Sequence, residues 1–279
     1  MKFDTVYIEQ DIFDNFKVKE LLSKIQSKNI IACENYREVF NPKNQNFRIQ
    51  KKNQSIILAQ KKKNLVLKTP EEFSIGFHEN YYFSHMLNCI YDCKYCFLQG
   101  MYNSANIVLF VNFNDFANEI RSISLKTSKP LCFFSGYDCD SLALENITNF
   151  SDYFIDIFKD FNHSFLELRT KSINIKSLSK KKPIPNIIIA FSLSPDEIIN
   201  SFEDKTAGYK KRIDTIAYLQ KIGWNIGLRF DPIILTQDFK TKYINFFKEV
   251  FLNIDSERIH SITIGSFRMP RLFFEKIKK

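Results

Sequence analysis

Glycine is scarce in this sequence, at seven of 279 residues. Neither G-x-G-x-x-G nor G-x-x-x-x-G-K-S/T occurs, so nothing indicates a Rossmann or P-loop nucleotide site. No continuous apolar run approaches the roughly 18 residues that span a membrane. Residues 1–5 also lack the apolar stretch of a secretory signal. These absences predict a cytoplasmic protein with no membrane association.

Basic residues are in excess, with 40 Lys and Arg against 31 Asp and Glu and a formal net charge of +9. Such a charge suits a polyanion such as nucleic acid, but the basic residues are spread along the whole chain. The 29 phenylalanines offer rings on which bases stack, although most aromatic residues in proteins belong to the core. Composition therefore leaves nucleic-acid binding open.

From about residue 80 onward, short β-rich runs alternate with amphipathic stretches of helical length. The predicted strands are 81–87, 131–135, 165–170, 186–193, 225–230 and 261–266. The predicted helices lie near 114–126, 143–160, 173–181, 208–222 and 239–253. This alternation implies right-handed β-α-β units in a parallel sheet, with chemistry at the C-terminal ends of the strands. Periodicity leaves open whether the sheet closes into a barrel, curls into an incomplete one or stays open.

Residues 1–75 have a different pattern. Short strands are predicted at 5–9, 30–33, 55–60 and 64–68, with one helix near 15–27. We interpret this part as a small α/β lead-in packed beside the main sheet of residues 76–279. Three successive lysines, Lys61 to Lys63, lie between two of the strands and are expected to form an exposed turn.

The most informative segment is C-x-x-x-C-x-x-C, formed by Cys89, Cys93 and Cys96 directly after the first strand of the main sheet. In a cytosolic chain, clustered cysteines more often hold a metal or do chemistry than form disulfides. Three thiolates on one short loop can converge on an iron–sulfur cluster. On a four-iron cluster they would leave one iron open to a substrate or cofactor.

A zinc site is the alternative interpretation. His85 lies four residues before Cys89, and three cysteines with one histidine are an accepted structural zinc set. With the positive charge, this set would suit a zinc-stabilised nucleic-acid-binding module. However, His85 falls inside the predicted strand, and no second pair of ligands spans a finger-like loop.

The cysteine motif, with an aromatic residue just before its third cysteine, resembles the radical S-adenosylmethionine superfamily. The run Cys93-Lys94-Tyr95-Cys96-Phe97-Leu98-Gln99 resembles the spore photoproduct lyases and their relatives. Further similar segments are Val6-Tyr7-Ile8-Glu9, Cys139-Asp140-Ser141, Arg169-Thr170-Lys171, Phe191-Ser192-Leu193, Lys211-Arg212-Ile213, Gly223-Trp224-Asn225-Ile226-Gly227 and Asp231-Pro232-Ile233. The resemblance covers essentially the whole chain and implies a partial (β/α)6 TIM-like barrel behind the α/β lead-in.

The resemblance also implies a cofactor set. Cys89, Cys93 and Cys96 would hold a 4Fe-4S cluster, and the amino and carboxylate groups of S-adenosylmethionine would chelate its open iron. An electron from an external donor, such as a flavodoxin or ferredoxin, would then cleave the cofactor to a 5'-deoxyadenosyl radical.

Family positions that contact S-adenosylmethionine match Tyr95, Ser141 and Lys171. An ammonium near the cofactor carboxylate and a hydroxyl near its polar groups are suitable partners.

The spore photoproduct lyases reverse a methylene bridge between adjacent thymines, so the resemblance implies a DNA repair lyase with DNA as its substrate. The thiol that returns a hydrogen atom to the product radical matches Cys139. A thiol suits this role because its S–H bond is weak. Cys33 and Cys132 are expected to be buried core residues.

Two features depart from the family pattern. Phe97 stands where the lyases carry a second tyrosine, proposed to relay hydrogen atoms, and phenylalanine has no O–H to give. The lyases also continue into a C-terminal extension with a lesion-binding hairpin, whereas this sequence ends at Lys279. A second hypothesis is therefore a radical S-adenosylmethionine enzyme that acts on another nucleic-acid or small-molecule substrate.

Overall fold

The structure is a computed structural model and describes residues 1–40, 42–70 and 73–278. Its strands are β1 (Thr5–Glu9), β2 (Asn29–Cys33), β3 (Ile56–Ala59), β4 (Val66–Lys68), β5 (Glu79–Phe83), β6 (Met86–Leu87), β7 (Asp92–Cys93), β8 (Ile107–Phe110), β9 (Leu131–Ser135), β10 (Ser164–Thr170), β11 (Ile187–Ser192), β12 (Glu203–Asp204), β13 (Asn225–Ile233) and β14 (Ile259–Ser266). Its helices are α1 (Phe16–Lys24), α2 (Tyr36–Val39), α3 (Phe47–Lys52), α4 (Leu98–Met101), α5 (Phe113–Ser124), α6 (Glu145–Thr148), α7 (Phe150–Phe158), α8 (Asp196–Phe202), α9 (Tyr209–Ile222), α10 (Phe239–Asn253) and α11 (Arg271–Lys278).

The larger sheet has seven strands in the order β14-β13-β11-β10-β9-β5-β4. Neighbouring strands from β5 to β14 run parallel, and β4 pairs antiparallel with β5 at one edge. Helices lie between the parallel strands along the chain, except between β10 and β11, and the sheet is open between β4 and β14. This arrangement confirms the predicted α/β class and the partial (β/α)6 barrel.

Apolar side chains on both faces of this sheet hold the barrel together. Every residue of Ile187–Ser192 is buried, as expected for a parallel strand that is covered on two sides. Many of the phenylalanines, including Phe133, Phe150 and Phe158, belong to the main hydrophobic cluster. Cys33 and Cys132 are also buried, so both predicted core cysteines are confirmed.

A second sheet contains five strands in the order β2-β1-β3-β8-β6. Its last two strands come from the chain after residue 75, whereas β4, from before residue 75, joins the larger sheet. Strand pairing therefore crosses the predicted boundary in both directions. The division into a lead-in of residues 1–75 and a barrel of residues 76–279 stays a prediction.

The helix predicted near 173–181 is wrong, because residues 173–181 form turns and irregular backbone. Side chains in this segment bond to other parts of the fold. Asn174 Nδ2 donates to the Ala143 carbonyl at 3.2 Å, and Ser177 Oγ donates to Glu145 at 2.8 Å. Within the segment, the Asn174 N–H donates to Ser172 Oγ at 3.0 Å. Local side-chain bonds of this kind compete with helix formation.

Among the described helices, none is both long and apolar enough to cross a membrane.

Candidate active site

The three motif cysteines line one small pocket. Cys89 follows β6, Cys93 is the second residue of β7, and Cys96 precedes α4. The strand predicted over 81–87 is split here, because β5 belongs to the larger sheet and β6 pairs with β8 in the other. The remaining residues of the pocket lining are Phe47, Lys51, Asn88, Tyr91, Asp92, Leu98 and Gln99.

Hydrogen bonds from several elements hold the cysteine loop in place. The carbonyl of Cys89 accepts from Lys51 Nζ at 2.5 Å and from Gln54 Nε2 at 3.1 Å. The carbonyl of Cys93 accepts from Gln99 Nε2 at 2.5 Å. The backbone of Cys93 also pairs with Glu203 of β12. The loop is thus fixed by α3, by α4 and by a strand from a distant part of the chain.

Burial keeps the three thiols protonated in the absence of a metal centre. It raises the pKa of Cys89 to about 12 and raises the pKa of Cys93 and Cys96 as well. The Lys171 ammonium opposes this rise at Cys93 and Cys96, and the Tyr91 N–H donates to Cys89 Sγ at 3.4 Å. Because metal binding displaces thiol protons, three thiols beside cationic and N–H groups fit a thiolate-bound iron–sulfur cluster.

His85 is separate from this pocket. Its ring is fully buried and stacks on Phe150 with the centroids 3.7 Å apart. Its Nδ1 lies 4.0 Å from Sγ of Cys139, and burial lowers its pKa to about 3, so the ring is neutral. Within the described residues, no group of three or more His, Cys, Asp and Glu side chains is placed to hold a single metal ion. The structure therefore does not assemble the zinc set of three cysteines and His85.

The loop after β9 carries Cys139 and Ser141. Ser141 Oγ lies 2.8 Å from Ser135 Oγ, and the Ser141 N–H donates to the Arg169 carbonyl at 3.0 Å. Gly136 has φ +86°, and a Cβ there would lie 2.6 Å from Ser141 Oγ. Glycine is therefore required for the turn that brings Ser141 against the end of β10.

Asp140 joins this loop to the segment that carries Lys171. Its buried carboxylate accepts from the Lys171 N–H at 2.6 Å and from Thr170 Oγ1 at 2.7 Å. Burial raises the pKa of Asp140, although these hydrogen bonds act in the opposite direction. Asp140 thus positions the two strand-end segments that contain Cys139, Ser141 and Lys171.

Tyr95 and Lys171 also lie together. The Lys171 ammonium sits over the Tyr95 ring, 5.7 Å from its centroid. The Tyr95 hydroxyl donates to Glu203, and Glu203 accepts from Arg212 Nη2 at 2.5 Å. Burial acts to raise the pKa of Glu203, but Lys171, Arg212 and Tyr95 outweigh it and the pKa is lowered. Glu203 is therefore ionised and links Tyr95 to the buried Arg212.

Phe97 lies among aromatic side chains beside the cysteine loop. Its ring contacts Tyr137 edge-on at 6.2 Å, and Tyr137 contacts Tyr82 at 4.6 Å between centroids. Tyr137 is two residues before Cys139. Phe97 itself has no hydroxyl, but Tyr137 contacts its ring and Tyr82 contacts Tyr137.

The structure brings the predicted site residues together in linked groups at one end of the sheet. Sequence reasoning missed three that support them, namely Asp140, Glu203 and Arg212. Asp140 and Arg212 lie inside segments that resemble the family, but their spacing gives no sign of their partners. Glu203 could be recognised only through contacts with residues far away in the sequence, such as Tyr95.

An open parallel barrel with C-x-x-x-C-x-x-C after its first strand is what the resemblance to radical S-adenosylmethionine proteins implies. The chain belongs to the spore photoproduct lyase family, whose sequence model matches residues 1–274.

Individual proteins similar to this chain are spore photoproduct lyases. The spore photoproduct lyase of Bacillus subtilis (strain 168) is 23% identical over 177 residues, which cover 63% of this chain and 52% of that protein. The spore photoproduct lyase of Geobacillus sp. (strain Y412MC61) is 22% identical, also over 177 residues, with the same two coverages. The matched part therefore spans about half the length of these relatives.

Solved structures show the same fold. A double mutant of spore photoproduct lyase with bound AdoMet and dinucleoside spore photoproduct has a TM-score of 0.85 and 17% sequence identity. A spore photoproduct lyase complexed with dinucleoside spore photoproduct has a TM-score of 0.82, also at 17% identity. Each similarity covers 99% of this chain and 82% of the other.

Proposed function

We propose that this protein is a radical S-adenosylmethionine lyase that reverses a methylene-bridged thymine photolesion in DNA. The observation that carries the proposal is the pocket lined by Cys89, Cys93 and Cys96 at the strand ends of a spore photoproduct lyase fold. Related structures of that fold are described with bound AdoMet and dinucleoside spore photoproduct.

Cys89, Cys93 and Cys96 are the proposed ligands of a 4Fe-4S cluster. When bound, this cluster and S-adenosylmethionine would supply a 5'-deoxyadenosyl radical, with the electron coming from an external flavodoxin or ferredoxin. The chain contributes the fixed loop that presents three thiolates and leaves one coordination position open.

Tyr95, Ser141 and Lys171 are the proposed contacts to S-adenosylmethionine. Lys171 supplies a positive charge for the cofactor carboxylate, and Tyr95 orients Lys171 through the contact with its ring. Ser141 supplies a hydroxyl whose position is set by Ser135. Asp140 holds the Lys171 backbone and is therefore a positioning residue.

Cys139 is the proposed donor of the hydrogen atom that completes the product. Burial raises its pKa well above the usual value, and the nearby carboxylates of Asp138 and Asp140 act in the same direction. The group therefore stays a protonated thiol at neutral pH. This matters because only the thiol, and not the thiolate, has a hydrogen atom to give.

We also propose that the protein is located in the cytoplasm. All six cysteines are free in the structure, which suits a reducing compartment.

Anaerobic reconstitution with product analysis tests the function. Reduced enzyme with S-adenosylmethionine is expected to convert a spore photoproduct dinucleotide into thymine product. The Cys139→Ala variant should still form the cluster and cleave S-adenosylmethionine, but it should divert the product radical to other adducts. Cofactor cleavage without any thymine product from the wild-type protein would overturn the lyase assignment.

Phe97 favours one alternative, in which the same radical chemistry serves a different substrate. Stimulation of S-adenosylmethionine cleavage separates the two functions. Duplex DNA containing the lesion should stimulate cleavage if the lyase assignment is right, and should have no effect if the substrate belongs to another class.

A further inference from the structure

A charged cluster lies at the C-terminal ends of the barrel strands and has no role in the proposed chemistry. Asp231 accepts from both Nη1 and Nη2 of Arg268, at 3.2 and 3.1 Å. Nη2 of Arg169 lies 3.6 Å from the same carboxylate. Two guanidinium groups thus share one carboxylate, which leaves one positive charge uncompensated within the cluster.

The backbone leaves room for this cluster. A Cβ at Gly265 would lie 2.5 Å from Nη1 of Arg268 and 3.0 Å from Oδ1 of Asp231. Any larger residue at position 265 would displace the Arg268 side chain. Arg169 and Arg268 nevertheless reach solvent, with 38% and 54% of their side chains exposed.

Aromatic rings connect the cluster to the cysteine loop. The Arg268 guanidinium lies over the Phe73 ring at 6.0 Å, and Phe73 contacts Tyr137 edge-on at 6.4 Å. Tyr137 in turn contacts Tyr82 and Phe97. A continuous row of rings therefore runs from the arginines to the segment that precedes Cys139.

Rings beside an arginine pair are the elements with which proteins bind single-stranded or everted nucleotides. Bases stack on aromatic faces, and guanidinium groups bind phosphate through paired hydrogen bonds. We propose that Arg169 and Arg268 bind the phosphodiester that joins the two nucleosides of the lesion. This inference rests on the proposed function, and it adds a phosphate-binding site to it.

Two probes test the site, namely spore photoproduct as a phosphate-bridged dinucleotide and as a phosphate-free dinucleoside. The wild-type protein should prefer the bridged probe in kcat/KM by roughly tenfold or more, the worth of a hydrogen bond to a charged group. Arg268→Ala should remove most of this preference. Asp231→Asn, which releases both guanidinium groups, should increase it.

Arg258→Ala is the matched control. Arg258 is an exposed arginine that pairs with Asp255 at 3.3 Å, next to the opposite end of β14. This variant should keep the wild-type preference. If Arg268→Ala and Asp231→Asn both behave like Arg258→Ala, the phosphodiester site is wrong while the lyase function stands.

Binding of single-stranded oligothymidylate gives a readout that does not depend on repair. For single strands, log K falls with log salt by about 0.7 per phosphate contact, so Arg268→Ala should flatten the slope by about that amount. Failure of both lesion probes to give thymine would count against the proposed function only. An unchanged salt slope in Arg268→Ala would count against the phosphodiester site.

Discussion

Nδ1 of His85 lies 4.0 Å from Sγ of Cys139, and both groups are buried. The Nε2 atom on the other side of the ring has no hydrogen-bond partner among the described residues. Within that part of the chain, the polar contact of the neutral ring is therefore the one with the proposed hydrogen-atom donor. An imidazole in this position can orient the thiol without removing its proton.

Replacing His85 with phenylalanine should free the Cys139 thiol while retaining the stack on Phe150. We expect the S–H stretch of Cys139 to move to higher frequency in the infrared spectrum, because its acceptor is gone. Cys139→Ser identifies the band by removing it. A stretch that is unchanged in His85→Phe would show that Nδ1 does not accept from the thiol.

Acid should destabilise the protein through His85. Its pKa is about 3 in the folded state, compared with about 6.5 for the exposed side chain. The folded state binds fewer protons at this site than the unfolded state. The stability associated with His85 is thus complete above about pH 6.5 and is lost as the pH falls toward 3. Urea unfolding at several pH values should show a steeper loss in the wild type than in His85→Phe over this window. If the free energy of unfolding depends on pH equally in both proteins, the lowered pKa of His85 is wrong.

Cys93→Ala should abolish cluster assembly, because Cys93 is one of the three proposed ligands. After anaerobic reconstitution, iron and sulfide analysis should give about four of each in the wild type and far less in the variant. Cys132→Ala is the matched control, since Cys132 is also a buried cysteine and lies on β9, outside the motif. Full iron content in Cys93→Ala would exclude it as a ligand.

Gly100→Ala should destabilise the contact between α4 and α11. A Cβ at Gly100 would lie 2.5 Å from the Cβ of Phe273 and 2.6 Å from its backbone. Overpacking of this kind typically reduces the free energy of unfolding by about 1–3 kcal/mol. Gly208→Ala is the control, because a Cβ at Gly208 meets no atom of the described residues within 4 Å. Equal unfolding midpoints for the two variants would refute the close approach.

The sequence predicted most strands of the barrel well, and best where a strand is a short apolar run bounded by polar residues. Leu131–Ser135 has the predicted limits, and Ile187–Ser192 differs by one residue at each end. It did not predict β8, although Ile107–Phe110 is also apolar. The assignment of this strand depends on its pairing with β3 and β6, which no local pattern reveals.

For the candidate site too, the sequence located some residues and missed others. The cysteine motif and the family-like segments are enough to locate Cys89, Cys139 and Lys171 in the sequence. The charges that support them could not be located, because Glu203 pairs with Arg212 and Tyr95 only after the chain has folded. The roles of all these residues in catalysis stay predictions.

The pairing of β7 with β12 also sets an order of events during synthesis. Glu203 lies 108 residues beyond Tyr95, so the cysteine loop emerges from the ribosome long before the strand that holds Cys93. Until β12 has been synthesised, the loop that carries the three thiols lacks its pairing with that strand. We therefore expect stable insertion of the proposed cluster only late in maturation, after most of the barrel has been made.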